Sequence, residues 1–267
     1  MGTEDALSKV ITFIEKHLSR KEIVVMLALD ITGAFDQVLT SSIVNCMTKK
    51  FFPSEIVNWY NFFLENRTIE ANILDNKMTR KVIRGTPQGF IMSSLSWNLV
   101  MDDLLDSIND DKGVCLTEAI SDGKGGMAVG YADDGAILMA GQDLGSMIHK
   151  VQAKLNKCVQ WGKENGLSLS KDKTQYMVLR WRNAPKWRLK SKYKLRLDGD
   201  EILEVQDIKY LGLTINNSLS WFNHIDDKLG KAKKRFMQIK RAVGTLWGPS
   251  PRLMCWAYKA ICLPILT

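Results

Sequence analysis

The chain has 267 residues, of which 45% are hydrophobic and 25% are charged, a balance typical of an ordinary globular protein with a buried core. It contains no apolar run long enough to cross a bilayer, and its five cysteines form no CxxC pair, so neither a disulfide framework nor a zinc site is predicted. The formal net charge is +8, and the stretch from Arg180 to Arg241 alone carries +9. This clustering indicates a polyanionic partner or, alternatively, a solvated basic surface.

The first part of the chain predicts helices around one buried strand. Residues 4–18 have the apolar spacing of an amphipathic helix. The run EIVVMLALDI predicts a strand that is buried on both faces and ends at Asp30. Helices are predicted over residues 41–50 and from Pro53 onward. Short strands in TIEANIL and TRKVI precede the loop RGTPQGF and a helix in SLSWNLVMDDLLDSI.

The second part predicts a hairpin, further strands and two closing helices. MAVG and GAILMA flank YADD, so Asp133 and Asp134 are expected at the tip of a hairpin. An amphipathic helix is predicted over residues 143–165, and strands are predicted in QYMVLRW, YKLRL and IKYLGLTI. Helices over 224–243 and 251–262 follow. This mixture without strict βαβ alternation predicts an α+β fold.

Three carboxylates are candidates for a metal site. If the strands that carry Asp30, Asp133 and Asp134 share one sheet, their side chains converge at one edge. Converging carboxylates repel each other unless a cation is bound, and Mg²⁺ takes one or two carboxylates together with substrate phosphates. Two such ions support in-line phosphoryl transfer. The alternative is that the doublet is a simple turn, because Asp favours turns.

Five motifs in order give the chain a resemblance to a known family. DITGAFD, RGTPQG, YADD, GLSLSKDKT and IKYLGL resemble motifs A to E of the reverse-transcriptase palm, and the resemblance covers roughly residues 5–265. RGTPQGFIMSSLSWNLVMDDLL is most similar to non-LTR (LINE-type) retrotransposon enzymes, although group II intron maturases share YADD and the PQG loop. Related elements commonly have Ser at Phe90 and Pro at Ser94, so the chain departs from the pattern there.

The resemblance implies a polymerase palm with the start of a helical thumb. The expected palm is an antiparallel sheet that carries the YADD hairpin, with helices packed on one face. The expected divisions are an N-terminal helix over residues 1–20, the palm with its primer grip over 21–222, and the beginning of the thumb over 223–267. The fingers are expected to be largely missing.

The resemblance also implies roles at the catalytic centre. Asp30 and Asp133 would bind two Mg²⁺ ions, with Mn²⁺ as the alternative, while the Ile31 carbonyl and Asp134 complete the metal site. Lys173 would protonate the pyrophosphate; Lys171 is the neighbouring candidate, and a solvated loop lysine is the alternative to both. The residues implied in nucleotide binding are the steric gate Phe35, with plain core packing as its alternative, and Gln88 and Gly89.

Further residues are implied in primer or template contacts. Tyr131 would approach the primer end, and Tyr210, Leu211 and Gly212 match the primer grip. Basic residues alternate along one predicted strand, which favours phosphate contacts over the alternative of a lysine-protected edge strand. They are Arg188, Lys190, Lys192, Lys194 and Arg196. Lys233 and Lys234 lie in a predicted basic helix whose residues Leu229, Phe236 and Ile239 are expected to pack inward.

The predicted function is therefore that of an RNA-directed DNA polymerase of a non-LTR retrotransposon. It would add dNTPs to the 3′-OH of a DNA primer on an RNA template, without a membrane. The expected setting is intracellular, in the nucleus or cytoplasm within a ribonucleoprotein. The alternative is a truncated or domesticated remnant that binds nucleic acid without polymerising.

Overall fold

The computed structural model describes residues 2–73, 76–108, 120–121, 125–181, 194–241 and 248–266. The helices are α1 (Thr3–Ser19), α2 (Ala34–Gln37), α3 (Thr40–Lys49), α4 (Ser54–Glu65), α5 (Ile91–Ile108), α6 (Leu144–Asn165), α7 (Phe222–Arg241), α8 (Pro251–Ala257) and α9 (Leu263–Leu266), with a π-helical turn (Tyr258–Cys262) between the last two. The strands are β1 (Ile23–Thr32), β2 (Thr68–Ile73), β3 (Asn76–Lys81), β4 (Ile120–Ser121), β5 (Gly126–Tyr131), β6 (Asp134–Gly141), β7 (Ser168–Leu169), β8 (Gln175–Leu179), β9 (Arg196–Leu197), β10 (Asp200–Glu201), β11 (Leu203–Glu204), β12 (Asp207–Tyr210) and β13 (Leu213–Asn216).

A central sheet with β1 in its middle organises the fold. The strand order is β11–β8–β1–β6–β5–β4, and β7 pairs with the end of β1. All of these pairs are antiparallel except the one between β11 and β8. Because neighbours flank β1 on both edges and layers cover both faces, its apolar run is buried as predicted. β1 continues two residues past Asp30, since Ile31 and Thr32 pair with β7.

The two faces of the sheet pack against different layers, and this corrects one detail of the predicted fold. Val25 and Leu27 of β1 point into a core built with α3, α4, α5 and α6. Val24 and Met26 point into a second core with α1 and the β12–β13 hairpin. The α+β architecture is confirmed. Helices nevertheless cover both faces and not one, because alternate residues of β1 are apolar on both sides and each side must be buried.

The predicted single strand IKYLGLTI is a hairpin. β12 and β13 pair antiparallel, and Leu211 and Gly212 form the turn with φ values of 47° and 82°. Two successive positive φ values are typical of the tight turn that joins twisted antiparallel strands, and glycine makes the second one easy. The prediction of an uninterrupted strand was therefore wrong, since Leu211 reads as a strand residue in isolation.

The long basic helix α7 is far more exposed than its sequence predicts. Ala232 is the one buried residue among its twenty. The predicted inward packing of Leu229 and Phe236 is wrong, because both are exposed, and Ile239 is half-buried. Within the described residues, α7 packs mainly on β13 and the C-terminal helical turns. No described helix is long and apolar enough to cross a membrane.

Candidate active site

The candidate carboxylates meet at one end of the central sheet. In the antiparallel register, Asp30 of β1 lies directly opposite Asp134 of β6. Asp133 stands in the two-residue turn between β5 and β6, and it is exposed. Asp30 and Asp133 line one open cleft of about 330 Å³, which Gln88 and Lys173 also line. The predicted convergence follows from neighbouring strands that end at the same edge.

Trp97 of α5 holds the turn that carries Asp133. Its indole Nε1 donates a hydrogen bond of 2.6 Å to the carbonyl oxygen of Ala132. Ala132 has a φ of 51°, which is uncommon for a residue with a side chain. Trp97 is only 1% exposed, so its donor is fixed by core packing. This role of Trp97 was not predicted from the sequence, although the helix that contains it was.

The electrostatics of the site favour a cation among the carboxylates. Burial raises the pKa of Asp134 above its usual value, and the charges of Asp133 and Asp30 add to this increase. The ammonium of Lys173 opposes it. Lys173 Nζ lies 3.4 Å from both carboxylate oxygens of Asp30. A positive charge at this place therefore relieves the repulsion between the carboxylates.

The loop between β7 and β8 separates the two candidate lysines. The Ser170 backbone N–H donates a hydrogen bond of 2.8 Å to the carbonyl oxygen of Asp30, which ties this loop to β1. Lys173 lines the cleft, whereas Lys171 pairs with Asp200 at 2.6 Å. The side chain of Lys173 is 71% exposed, so it has freedom to move. Of the two candidate lysines, Lys173 is therefore the one that lines the cleft.

The donor set fits hard divalent cations with help from the substrate. No group of three or more His, Cys, Asp or Glu side chains among the described residues is arranged to hold an ion. Asp30 and Asp133 nevertheless line one cleft together with Ile31. Mg²⁺ is commonly held by one or two carboxylates, with phosphates and water completing its shell. Asp30 and Asp133 are thus the side chains that would contribute carboxylates to such an ion.

The RGTPQG loop is docked against the segment that follows β1. Backbone N–H groups of Gly85 and Thr86 donate hydrogen bonds of 2.8 Å to the carbonyl oxygens of Val38 and Phe35. A Cβ on Gly85 would lie 2.7 Å from the carbonyl oxygen of Asp36, so only glycine fits there. The Gln88 side chain reaches the Asp36 carboxylate at 3.4 Å. These contacts place Gln88 at the cleft.

Phe35 and Gly89, the other residues predicted to contact the nucleotide, differ in their surroundings. Gly89 has a φ of 84° and open space around its missing Cβ, which leaves room for a ligand. Phe35 lines the cleft, and its ring centroid lies 5.4 Å from that of Trp97. Phe35 is half-buried and packs on the core, so core packing and contact with the cleft coexist. Its role as a steric gate stays a prediction.

The predicted primer grip is only partly presented to a ligand. Leu211 and Gly212 form the accessible turn of the β12–β13 hairpin. Tyr210 is 2% exposed, and its hydroxyl has no hydrogen-bond partner among the described residues. Tyr210 therefore belongs to the core and is not in a position to touch a primer, which corrects the prediction for this side chain. Tyr131 lines a cavity of about 300 Å³ beside the cleft.

The predicted basic strand falls largely outside the described residues, which exclude Arg188, Lys190 and Lys192. In the described part, Lys194 and Arg196 are exposed while Leu195 and Leu197 are buried, so the predicted alternation holds there. Lys194 and Arg196 pair with Glu201 across the β9–β10 hairpin, at 2.7 and 3.7 Å. Part of their charge is thus neutralised within the protein. Lys233 and Lys234 are exposed on α7.

The fold and the cleft together define a class of protein. An antiparallel sheet in which an Asp-bearing strand lies beside an Asp-Asp hairpin, next to an open cleft, is a polymerase palm. The family comparison then identifies the kind of polymerase. The model of the family "Reverse transcriptase (RNA-dependent DNA polymerase)" matches residues 3–215, so the chain belongs to this family.

Relatives and solved structures agree with this assignment. The RNA-directed DNA polymerase from mobile element jockey of Drosophila melanogaster is 26% identical over 84% of the chain. The Pol polyprotein from type-1 retrotransposable element R1 of Bradysia coprophila is 26% identical over 97% of it. The chain spans only 23% and 24% of these relatives. Apo telomerase from Candida tropicalis matches 82% of the chain and 36% of its own chain, with a TM-score of 0.56 and 11% identity, and so shares the fold.

Proposed function

We propose that the chain extends a DNA primer on an RNA template, as the reverse transcriptase domain of a non-LTR retrotransposon protein. The carrying observation is that Asp30, Asp133, Lys173 and Gln88 line one cleft at the end of a palm sheet. The family of the chain and its similarity to the RNA-directed DNA polymerase from mobile element jockey support the same reaction. The substrates would be dNTPs, and the reaction would take place in an intracellular ribonucleoprotein.

The residues of the cleft would share the work of nucleotidyl transfer. Asp30 and Asp133, with the Ile31 carbonyl, would hold Mg²⁺ or Mn²⁺, and Asp134 would add negative charge beside them. Such ions, when bound, would activate the attacking 3′-OH and neutralise charge on the leaving group. The Lys173 side chain is exposed, and its ammonium contacts the Asp30 carboxylate. It would move to the leaving pyrophosphate and donate a proton to it.

The remaining predicted residues would position the substrates. Phe35 would form the wall that faces the sugar, and a 2′-OH at that wall would meet the ring. Gln88 would contact the sugar, while the open space at Gly89 admits the pair of template base and nucleotide. Lys233 and Lys234 are exposed on α7 and would contact phosphates of the duplex, which position a protein on nucleic acid without reading its sequence. The division into N-terminal helix, palm and thumb is proposed on the same grounds.

Primer extension by an Asp133→Asn variant tests the proposal. With Mg²⁺, poly(rA)/oligo(dT) and dTTP, we expect the variant to lose at least about 10²-fold in rate, because one electrostatic ligand at a reaction centre is commonly worth that much. Asp106→Asn is the matched control, since Asp106 pairs with Lys50 at 3.2 Å far along α5 and does not line the cleft. Undiminished extension by Asp133→Asn would exclude the metal assignment. Wild-type binding without any extension would instead support the non-polymerising remnant, which the family match does not favour.

A further inference from the structure

The β2–β3 hairpin projects from the protein with both of its faces exposed. Residues 68–72 and 77–81 are all exposed, and the apolar side chains of Ile69 and Met78 are 60% and 44% exposed. In the described part of the chain the two strands pack extensively only against each other. A two-stranded hairpin is marginally stable alone in water. An exposed hairpin with apolar side chains is therefore expected to be covered by a ligand or partner.

The two faces of this hairpin differ in chemistry. The cross-strand pairs Ile69–Arg80 and Ala71–Met78 place these four residues on one face, which we call the Arg80 face. It combines apolar side chains with a guanidinium that has no ion pair or hydrogen bond to any described residue. The opposite face holds the pairs Thr68–Lys81, Glu70–Thr79 and Asn72–Lys77. That face is polar, and Lys77 is already neutralised by Glu70 at 2.8 Å.

The root of the hairpin is fixed to the loop beside the catalytic cleft. Arg67, which precedes β2, donates hydrogen bonds of 2.6 Å and 3.2 Å to the carbonyl oxygens of Gly85 and Arg84. The Val82 N–H donates a hydrogen bond of 2.9 Å back to the Arg67 carbonyl oxygen. The same loop carries Gln88 into the cleft. The root of the hairpin is thus tied to the loop whose Gln88 lines the cleft.

We infer that the Arg80 face binds the unpaired template strand as it approaches the cleft. Unpaired bases expose flat apolar surfaces, which an Arg guanidinium and neighbouring side chains can stack against, while the positive charge of Arg80 attracts phosphates. A duplex hides its bases and offers mainly phosphates, so Ile69 and Met78 would gain nothing from it. This inference rests on the proposed function, because it assumes that a template enters this cleft.

Binding to templates with and without an overhang tests the inference. The probes are an RNA template annealed to a DNA primer, either blunt or with a 5′ single-stranded RNA extension of about six nucleotides, and the readout is the Kd by fluorescence anisotropy. We expect the extension to strengthen wild-type binding about 10-fold, because the bases and phosphates of the overhang add contacts that the blunt duplex lacks. Met78→Thr/Arg80→Gln should lose most of this gain and leave binding of the blunt duplex within about twofold. Both residues are exposed, so the fold is not at risk.

A matched variant on the opposite face removes the same charge. Thr79→Ser/Lys81→Gln should keep the overhang gain, because these side chains point away from the Arg80 face. Equal losses in the two variants would indicate unspecific attraction and overturn the inference. Three further results would overturn the inference: wild-type binding that the overhang does not strengthen, a loss in Met78→Thr/Arg80→Gln that is equal for blunt and extended duplexes, or nucleic-acid binding that neither variant changes. The last result would point to a protein partner. Asp133→Asn separates the two proposals, because it should abolish extension while retaining the overhang gain.

Discussion

The cleft end of the central sheet and the helix α7 differ in how firmly the protein holds their candidate side chains. At the cleft, Asp30 and Asp134 face each other across paired strands, and Trp97 fixes the turn that carries Asp133. In α7, one residue of twenty is buried, and Lys233 and Lys234 are exposed. The cleft is built for exact placement, because rates depend on the geometry of the reacting groups. The helix suits contacts to a phosphate backbone, which tolerate movement.

The two regions also differ in the sign of their charge. The cleft gathers three carboxylates, so it attracts cations and repels nucleic acid unless cations are bound. α7 carries a basic surface that attracts nucleic acid directly. The difference teaches that the proposed chemistry and the proposed nucleic-acid contacts fall on separate regions of the chain. Each region can therefore be perturbed without the other, and the following experiments use this.

The largest effect is expected from Trp97→Phe, which removes the donor that holds the YADD turn. Displacement of Asp133 by a fraction of an ångström to 1 Å should lower kcat by about 10- to 100-fold. Trp161→Phe is the matched control, because its Nε1 donates to Asp103 at 2.9 Å away from the cleft. Steady-state primer extension measures both variants. Equal kcat values in the two variants would show that the turn holds its position without the indole.

A moderate effect on affinity is expected from Lys233→Gln/Lys234→Gln. Each lost phosphate contact should reduce the slope of log K against log salt by about one, so the pair should reduce it by about two. Nucleic-acid binding weakens while kcat at saturation stays unchanged, since α7 does not line the cleft. Titrations between low and high salt provide the measurement. Lys16→Gln/Arg20→Gln, at the C-terminal end of α1 and its cap, serves as the control. An unchanged slope in the α7 variant would contradict the predicted contacts.

A smaller effect is expected on stability from Tyr210→Phe. The buried hydroxyl of Tyr210 has no hydrogen-bond partner among the described residues, so its removal should leave stability unchanged or raise it by about 1 kcal/mol. Tyr60→Phe is the comparison, because the Tyr60 hydroxyl accepts a hydrogen bond of 2.8 Å from Ser96. That variant should lose about 1 kcal/mol. Urea unfolding measures both, and a marked destabilisation by Tyr210→Phe would reveal a partner for its hydroxyl.

The smallest effect is expected at the junction between α7 and the β12–β13 hairpin. The Thr214 N–H donates a hydrogen bond of 3.2 Å to His224 Nδ1, and burial, followed by Lys228, lowers the pKa of His224 below its usual value. The folded state therefore binds protons less readily than the unfolded chain. This contribution to stability is complete above the ordinary pKa of histidine and is lost as pH falls through the lowered one. Hydrogen-exchange protection of the Thr214 amide should decrease at pH 5, and His224→Gln should remove that pH dependence.

Local patterns predicted most elements because each depends on neighbours in the sequence. The apolar run before Asp30, the tip of the YADD hairpin and the long amphipathic helix after it were all predicted close to their observed bounds. The predictions failed where a long-range contact or a backbone angle decides. The turn at Leu211 needs a positive φ at a residue without a turn signature. The exposure of Leu229 and Phe236 depends on which layer faces α7, and periodicity alone carries no information on that.

The sequence by itself determined the family, the α+β class and the set of catalytic candidates, because spaced motifs and apolar periods are local properties of the chain. Only the tertiary structure decided which candidates meet. Lys173, and not Lys171, lies beside Asp30, because a hydrogen bond from the Ser170 backbone to β1 fixes the start of the loop that carries both lysines. The tertiary structure also buried Tyr210 and gave Trp97 its role at the turn. These outcomes depend on strand register and on packing between distant segments, and such contacts are defined only when the whole sheet has assembled.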